Sequence, residues 1–177
     1  MHNNLKRAPG VYLAGFMGSG KTTVARILAD RLGWDFIDLD SEIEAVERTT
    51  IAQIFEIRGE MEFRRIETEM LRGVMRRIER GMPAVIALGG GSFVQPLNAD
   101  LLEGHGISIW LDCSFETIAE RMREAEAAVR PLTRDPNAFR RLFDERRAAY
   151  SRATYRVDAD CDVERAIEQI LALPAWK

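Results

Sequence analysis

Lysine is nearly missing from this sequence: Lys6, Lys21 and Lys177 stand against twenty-two arginines. Cysteine and histidine are as scarce, with two of each. Cys113 and Cys161 lack the spacing of a metal site, so they read as buried or free thiols of a reducing compartment. His2 and His105, the latter in the turn EGHG, are isolated and are not expected to ligate a metal or act as a base. No apolar run approaches the roughly 20 residues of a membrane helix, which argues against a membrane partner. The opening MHNNLKRAPG lacks the apolar core of a secretion signal. The arginines are scattered from Arg7 to Arg165 with no basic tail, and the net charge is −3, so no nucleic-acid partner is expected. There is no internal repeat and no low-complexity linker. What is present is 177 residues with 46% hydrophobic content, which suits a single cytoplasmic domain spanning residues 1–177. With no long exposed apolar stripe, a monomer is expected.

Short apolar runs alternate with helical periods. VYLAG (Val11 to Gly15) reads as a strand, and Lys21 to Gly33 as a helix with an apolar stripe at Val24, Ile27, Leu28 and Leu32. DFIDLD is a second strand, after which Ser41 and Glu44 suggest a capping box. A short helix from Thr50 to Arg58 ends at Gly59, and a longer one, Glu62 to Arg80, carries Phe63, Ile66, Met70, Val74 and Ile78. AVIAL, ISIWLD and the weaker TYRVDAD are further strands; Ser114 caps the helix after ISIWLD, and Val163 to Leu173 is the last helix. Strands separated by helices predict an α/β fold, a parallel sheet covered on both faces. Ligands in such folds bind beyond the carboxyl ends of the strands.

The second lysine has a conspicuous setting. Gly15-Phe16-Met17-Gly18-Ser19-Gly20-Lys21-Thr22 fits G-x-x-x-x-G-K-[ST] at every fixed position, between a strand and a helix. Glycines let backbone N–H groups approach an anion, and the helix N-terminus adds its positive dipole end. Lys21 supplies a charge to the β- and γ-phosphates, and the Thr22 hydroxyl can ligate Mg²⁺. A nucleoside triphosphate site follows.

The acceptor must be sought elsewhere. Asp38 and Asp40 are placed at the end of the second strand, on one side. One carboxylate could hold a water of the Mg²⁺ shell and the other orient or deprotonate a hydroxyl; equally, Asp40 could simply begin the next helix. Arg64 and Arg65 lie in EFRRIE, where Glu60–Arg64 and Arg65–Glu69 pairs on a solvated face would be worth only about a few tenths of a kcal/mol each. Gly89-Gly90-Gly91 after an apolar strand packs nothing and costs entropy, which points to close approach of a ligand. Between Arg140 and Arg152 the helical phase puts Phe139, Leu142, Phe143 and Tyr150 on one face. Arg146 falls within about 20° of that face's centre and Arg147 near its edge. An arginine inside an apolar stripe needs an anionic partner, which favours Arg146 over Arg147. EAEAAVRPLTRDPN reads as a lid, about residues 124–137, whose Arg130 could close onto the phosphates.

Together, GFMGSGKT, FIDLD, EFRRIE, LGGG, VRPL and the segment ending at Tyr150 resemble the shikimate kinase family, in order and nearly from end to end. That resemblance implies a three-layer α/β/α P-loop kinase fold with a lid and five parallel strands ordered 2-3-1-4-5. It implies transfer of the γ-phosphoryl of ATP to the 3-hydroxyl of shikimate, with ATP and Mg²⁺ as cofactors. It assigns Gly18, Ser19, Gly20, Lys21, Thr22 and Thr23 to the phosphates, Asp38 to the metal shell through water, and Asp40 to the shikimate hydroxyls as the base. Arg64 and Arg146 would grip the shikimate carboxylate, with Gly89, Gly90 and Gly91 beside it and Phe55 and Phe63 as apolar walls of a substrate-binding region, about residues 40–70. Arg130 would reach ATP from the lid, and Arg123 would stack near adenine. Rivals with the same donor loop are a gluconate or nucleotide kinase and a catalytically silent sensor.

Overall fold

The computed structural model describes residues 10–125 and 135–176. Its centre is a parallel sheet of five strands: β1 (Gly10–Ala14), β2 (Asp35–Asp38), β3 (Ala84–Ala87), β4 (Ile107–Asp112) and β5 (Tyr155–Asp158). Their order is β2-β3-β1-β4-β5, with Val11 level with Val85 on one side and Ile107 on the other. Every residue of β1, β3 and β4 is buried, as expected of strands covered on both faces. The edge strands β2 and β5 each bury one residue in four. The fold is thus the α/β/α P-loop kinase architecture.

Among the described residues, seven α-helices connect and cover the strands: α1 (Lys21–Leu32), α2 (Leu39–Glu47), α3 (Ile51–Glu79), α4 (Pro96–Leu102), α5 (Phe115–Ala125), α6 (Pro136–Tyr150) and α7 (Val163–Leu171). Within α3, Gly59 takes φ 81° and ψ 170°, so its two arms form separate helical segments, as the glycine after Arg58 foretold. Thr50 and Gln53 close a capping box at its start.

Two local expectations fail. Ser41 and Glu44 do not form a capping box. Asp38 is the N-cap of α2, its Oδ1 accepting from the Ser41 N–H at 3.1 Å, and Glu44 instead accepts from the Ile51 N–H at 2.9 Å. A carboxylate at the strand end satisfies a free first-turn N–H and complements the helix dipole, so α2 starts at Leu39. Asp40 therefore belongs to the first turn of α2 rather than to β2. Helix α4 was not foreseen, because seven residues are too short to show a period; its cue is Pro96 in the first turn.

Candidate active site

The carboxyl ends of β1, β2 and β3 open into a cleft of about 500 Å³. One wall is the loop from β1 to α1. Gly20, its last residue, has φ 89°, which a side chain would strain. At Gly15, with φ 146°, a Cβ would lie 2.8 Å from the Leu111 carbonyl oxygen. Lys21 Nζ donates to the backbone oxygens of Gly15 (3.0 Å) and Phe16 (2.9 Å), so the ammonium is folded into the loop. Burial lowers its pKa to about 8, opposed by the nearby Asp40 and Asp38 carboxylates. Ser19 is buried, and its Oγ has no hydrogen-bond partner among the described residues.

Thr22 and Thr23 line the same wall. The Thr22 hydroxyl donates to Asp38 Oδ2 at 2.8 Å. This pair of hard oxygen donors beside a phosphate loop fits Mg²⁺, which prefers oxygen and completes its shell with water and phosphate. Thr22 would ligate it directly and Asp38 through water; bound there, it would neutralise charge on the phosphates.

The opposite wall comes from α2, α3, α6 and the β3–α4 turn. Asp40, Arg64, Arg146, Phe55, Phe63 and Gly89–Gly91 all line it. Burial raises the Asp40 pKa, with the Asp38 charge adding to the shift and Lys21 opposing it. A carboxylate so placed is a better proton acceptor than an ordinary aspartate. Phe55 and Phe63 meet with ring centroids 4.6 Å apart. The three glycines let side chains close in: a Cβ on Gly89 would lie 2.5 Å from Asp40 Oδ1, and one on Gly90 would lie 3.6 Å from Arg146 Nη1.

Adjacent arginines on α6 diverge. Arg146 enters the cleft with its guanidinium 5.7 Å from the Phe16 ring centroid. Arg147 leaves it and clasps buried Asp112 at 2.5 and 3.1 Å while stacking on Trp110. Likewise on α3, Arg64 faces the cleft, whereas Arg65 is exposed and pairs with Glu62 rather than with Glu69. Arg123 is exposed on α5, its Nε turned back onto the Ala119 oxygen, and it does not line the cleft. Arg130 and most of the expected lid lie outside the described residues.

Three contributors were missed. Glu67 is 1% exposed and bonds Arg64 Nη1 at 3.0 Å; burial raises its pKa, with Arg64 opposing. Its position one turn after Phe63 on the apolar stripe was the available signal. Arg121 reaches the phosphate loop, with Nη1 3.4 Å from the Gly18 oxygen and Nη2 3.2 Å from the Ala159 oxygen. Tyr150 donates to the Gly90 oxygen, tying α6 to the glycine turn. Neither of these two contacts left a local trace in the sequence.

The family model described as shikimate kinase matches residues 17–173. A shikimate kinase of Ruegeria pomeroyi is 36% identical, over 99% of this chain and 94% of its own. One from a Sulfurihydrogenibium species is 37% identical, over 91% and 95%. A crystal structure of shikimate kinase from Acinetobacter baumannii in complex with shikimate is 35% identical, with a TM-score of 0.81, and the match covers 94% of this chain and 93% of that one.

Proposed function

The chain belongs to the shikimate kinase family, and from that membership we propose how its own residues divide the reaction. The enzyme transfers the γ-phosphoryl group of ATP to the 3-hydroxyl of shikimate, giving shikimate 3-phosphate and ADP on the route to chorismate and the aromatic amino acids. Residues Gly18 to Thr23 hold the phosphates, with Lys21 as the mobile charge. Thr22 and Asp38 are the metal-side oxygens. Asp40 orients the shikimate hydroxyl and takes its proton. Arg64 and Arg146 fasten the carboxylate, and Phe55 and Phe63 wall the ring. Arg130 completes the donor side from a lid over about residues 124–137.

One observation carries this division. A single cleft has a phosphate loop on one wall and, on the other, two arginines and a carboxylate gathered around a glycine turn. Two guanidiniums suit an acceptor that bears its own carboxylate. They would grip it away from the reacting hydroxyl, so their binding energy orients the substrate without touching the transferring group.

We also propose that the chain acts as a cytoplasmic monomer. Both cysteines are free, and its large exposed apolar side chains are distributed over α2, α3, α4 and the turn before β3. No helix among the described residues is long and apolar enough to cross a membrane.

The test is ADP release with shikimate, gluconate and nucleoside monophosphates as acceptors. Shikimate alone should support turnover. Activity with gluconate or a nucleotide and none with shikimate would overturn the acceptor assignment.

A further inference from the structure

Behind the acceptor wall lies a polar cluster that the reaction has not yet used. Asn98 on α4 and Ser92 are fully buried, and Thr68 on α3 is 7% exposed. The Thr68 hydroxyl donates to Asn98 Oδ1 at 2.7 Å, and Asn98 Nδ2 donates to the Ser92 backbone oxygen at 3.1 Å. A carbonyl oxygen only accepts, so the Asn98 amide has one satisfied orientation: nitrogen to Ser92, oxygen to Thr68. The Ser92 hydroxyl lies 3.4 Å from the same nitrogen. Apolar packing would fill this space without direction. Buried hydrogen bonds add direction, and they specify the arrangement of the segments they join.

Those segments carry the acceptor site. Ser92 closes the glycine turn, its N–H donating to the Gly89 oxygen at 3.0 Å. Thr68 lies four residues after Arg64 on one face of α3. Arg64 itself rests where a side chain on Gly91 would stand. Helix α3 thus meets the turn twice: through Arg64 at Gly91, and through Thr68 and Asn98 at Ser92. The second contact sets where the first can reach.

We propose that Thr68 and Asn98 are positioning residues for the acceptor substrate. They lock α3 in register with the glycine turn, so that Arg64 is already aimed when the carboxylate of shikimate arrives. This rests on the reading of Arg64 and Gly89–Gly91 as the acceptor wall.

The test compares Thr68→Val, Thr68→Ser and the double variant Thr68→Val/Asn98→Leu with the unmodified enzyme. KM for each substrate, kcat and the melting temperature are measured for all of them. Valine keeps the shape of threonine and removes only its hydroxyl. The double variant removes both ends of the Thr68–Asn98 bond, and the Ser92 backbone oxygen that Asn98 releases still accepts from the Gln95 N–H at 3.2 Å, so most of the stability can be kept while direction is lost. The shikimate KM should rise about tenfold in Thr68→Val and in the double variant, as expected when a binding group is misplaced by a fraction of an ångström. The ATP KM should not change, and Thr68→Ser should behave as the unmodified enzyme. In the double variant the melting temperature should recover while the shikimate KM stays raised. An unchanged shikimate KM in folded Thr68→Val overturns the proposal. So does a joint shift of both KM values with the melting temperature, the signature of a general structural role. Failure of the underlying acceptor reading would show differently: Arg64→Ala would leave the shikimate KM unmoved.

Discussion

The guanidinium of Arg64 occupies the place a side chain on Gly91 would need, since a Cβ there would lie 2.6 Å from Nη2 and 2.9 Å from Nη1. None of Gly89, Gly90 and Gly91 has a positive φ, so the backbone does not demand glycine here. The demand comes from Arg64 and Asp40, which press onto the turn. Gly91→Ala should therefore fold normally, because the far end of an arginine can give way. The displaced guanidinium should weaken shikimate binding by about 10- to 100-fold, as when a binding group is misplaced by up to about an ångström. Kinetics with each substrate varied in turn check this: the shikimate KM rises and the ATP KM does not. A parental shikimate KM would show that Arg64 need not hold this position.

Neighbouring arginines on α6 should fail in opposite ways. Arg146→Ala removes a group that lines the cleft beside Phe16 and Tyr150, so the melting temperature should move little. Shikimate binding should weaken by about 2–5 kcal/mol, as when one partner of a desolvated charge pair is cut away. Arg147→Ala should reverse the pattern. It strips a bidentate partner from Asp112, which is only 7% exposed, while Arg156 at 2.6 Å still covers part of that charge. Arg147 is itself about a third exposed, so the loss of stability should be modest, about 1–2 kcal/mol. Thermal melts and shikimate kinetics on both variants separate the two roles.

Why the sequence revealed some of this and not the rest follows from the range of each signal. The sheet order came with the family resemblance, while the strands themselves, β1, β3 and β4, are unbroken apolar runs that announce burial on both faces. The phosphate loop is legible because its chemistry is contiguous from Gly15 to Thr22. Arg146 and Arg147 could be ranked by phase alone, since one helix turn sets their directions. Asn98 could not be found, because its partners, Thr68 and Ser92, lie 30 and 6 residues away and no local pattern joins them. For Asp40 the two-residue spacing leaves a strand end and a helix start equally open; the Asp38 side chain decides between them, because by capping α2 it ends the strand first.

The nucleotide side offers a contrast between two arginines on α5. The resemblance to shikimate kinases points to Arg123, yet its Nε bonds within its own helix. Arg121 instead joins the Gly18 oxygen of the phosphate loop to the Ala159 oxygen beyond β5. Arg121→Ala should loosen the loop and raise the ATP KM severalfold, with the shikimate KM unchanged. Arg123→Ala should have the smaller effect. Steady-state kinetics at saturating shikimate decide between them, and the reverse ranking would restore Arg123 as the main nucleotide arginine.

Lys21 makes ATP binding a proton-coupled event. In the nucleotide-free enzyme burial lowers its pKa to about 8, so the ammonium loses its proton as pH rises through that value. The triphosphate favours the charged form and raises the pKa again when it binds. At pH near 8, therefore, ATP binding should draw about half a proton from solution, and affinity should fall as pH climbs further. The terminal phosphate of ATP is already deprotonated there and does not mask the uptake. Calorimetric titration of ATP into the enzyme, in buffers of different ionisation enthalpy at one pH, measures the proton count directly. Lys21→Met should abolish the uptake along with nearly all turnover. An equal uptake in that variant would place the titrating group elsewhere in the cleft, with Asp40, whose pKa is raised by burial, the next group to replace.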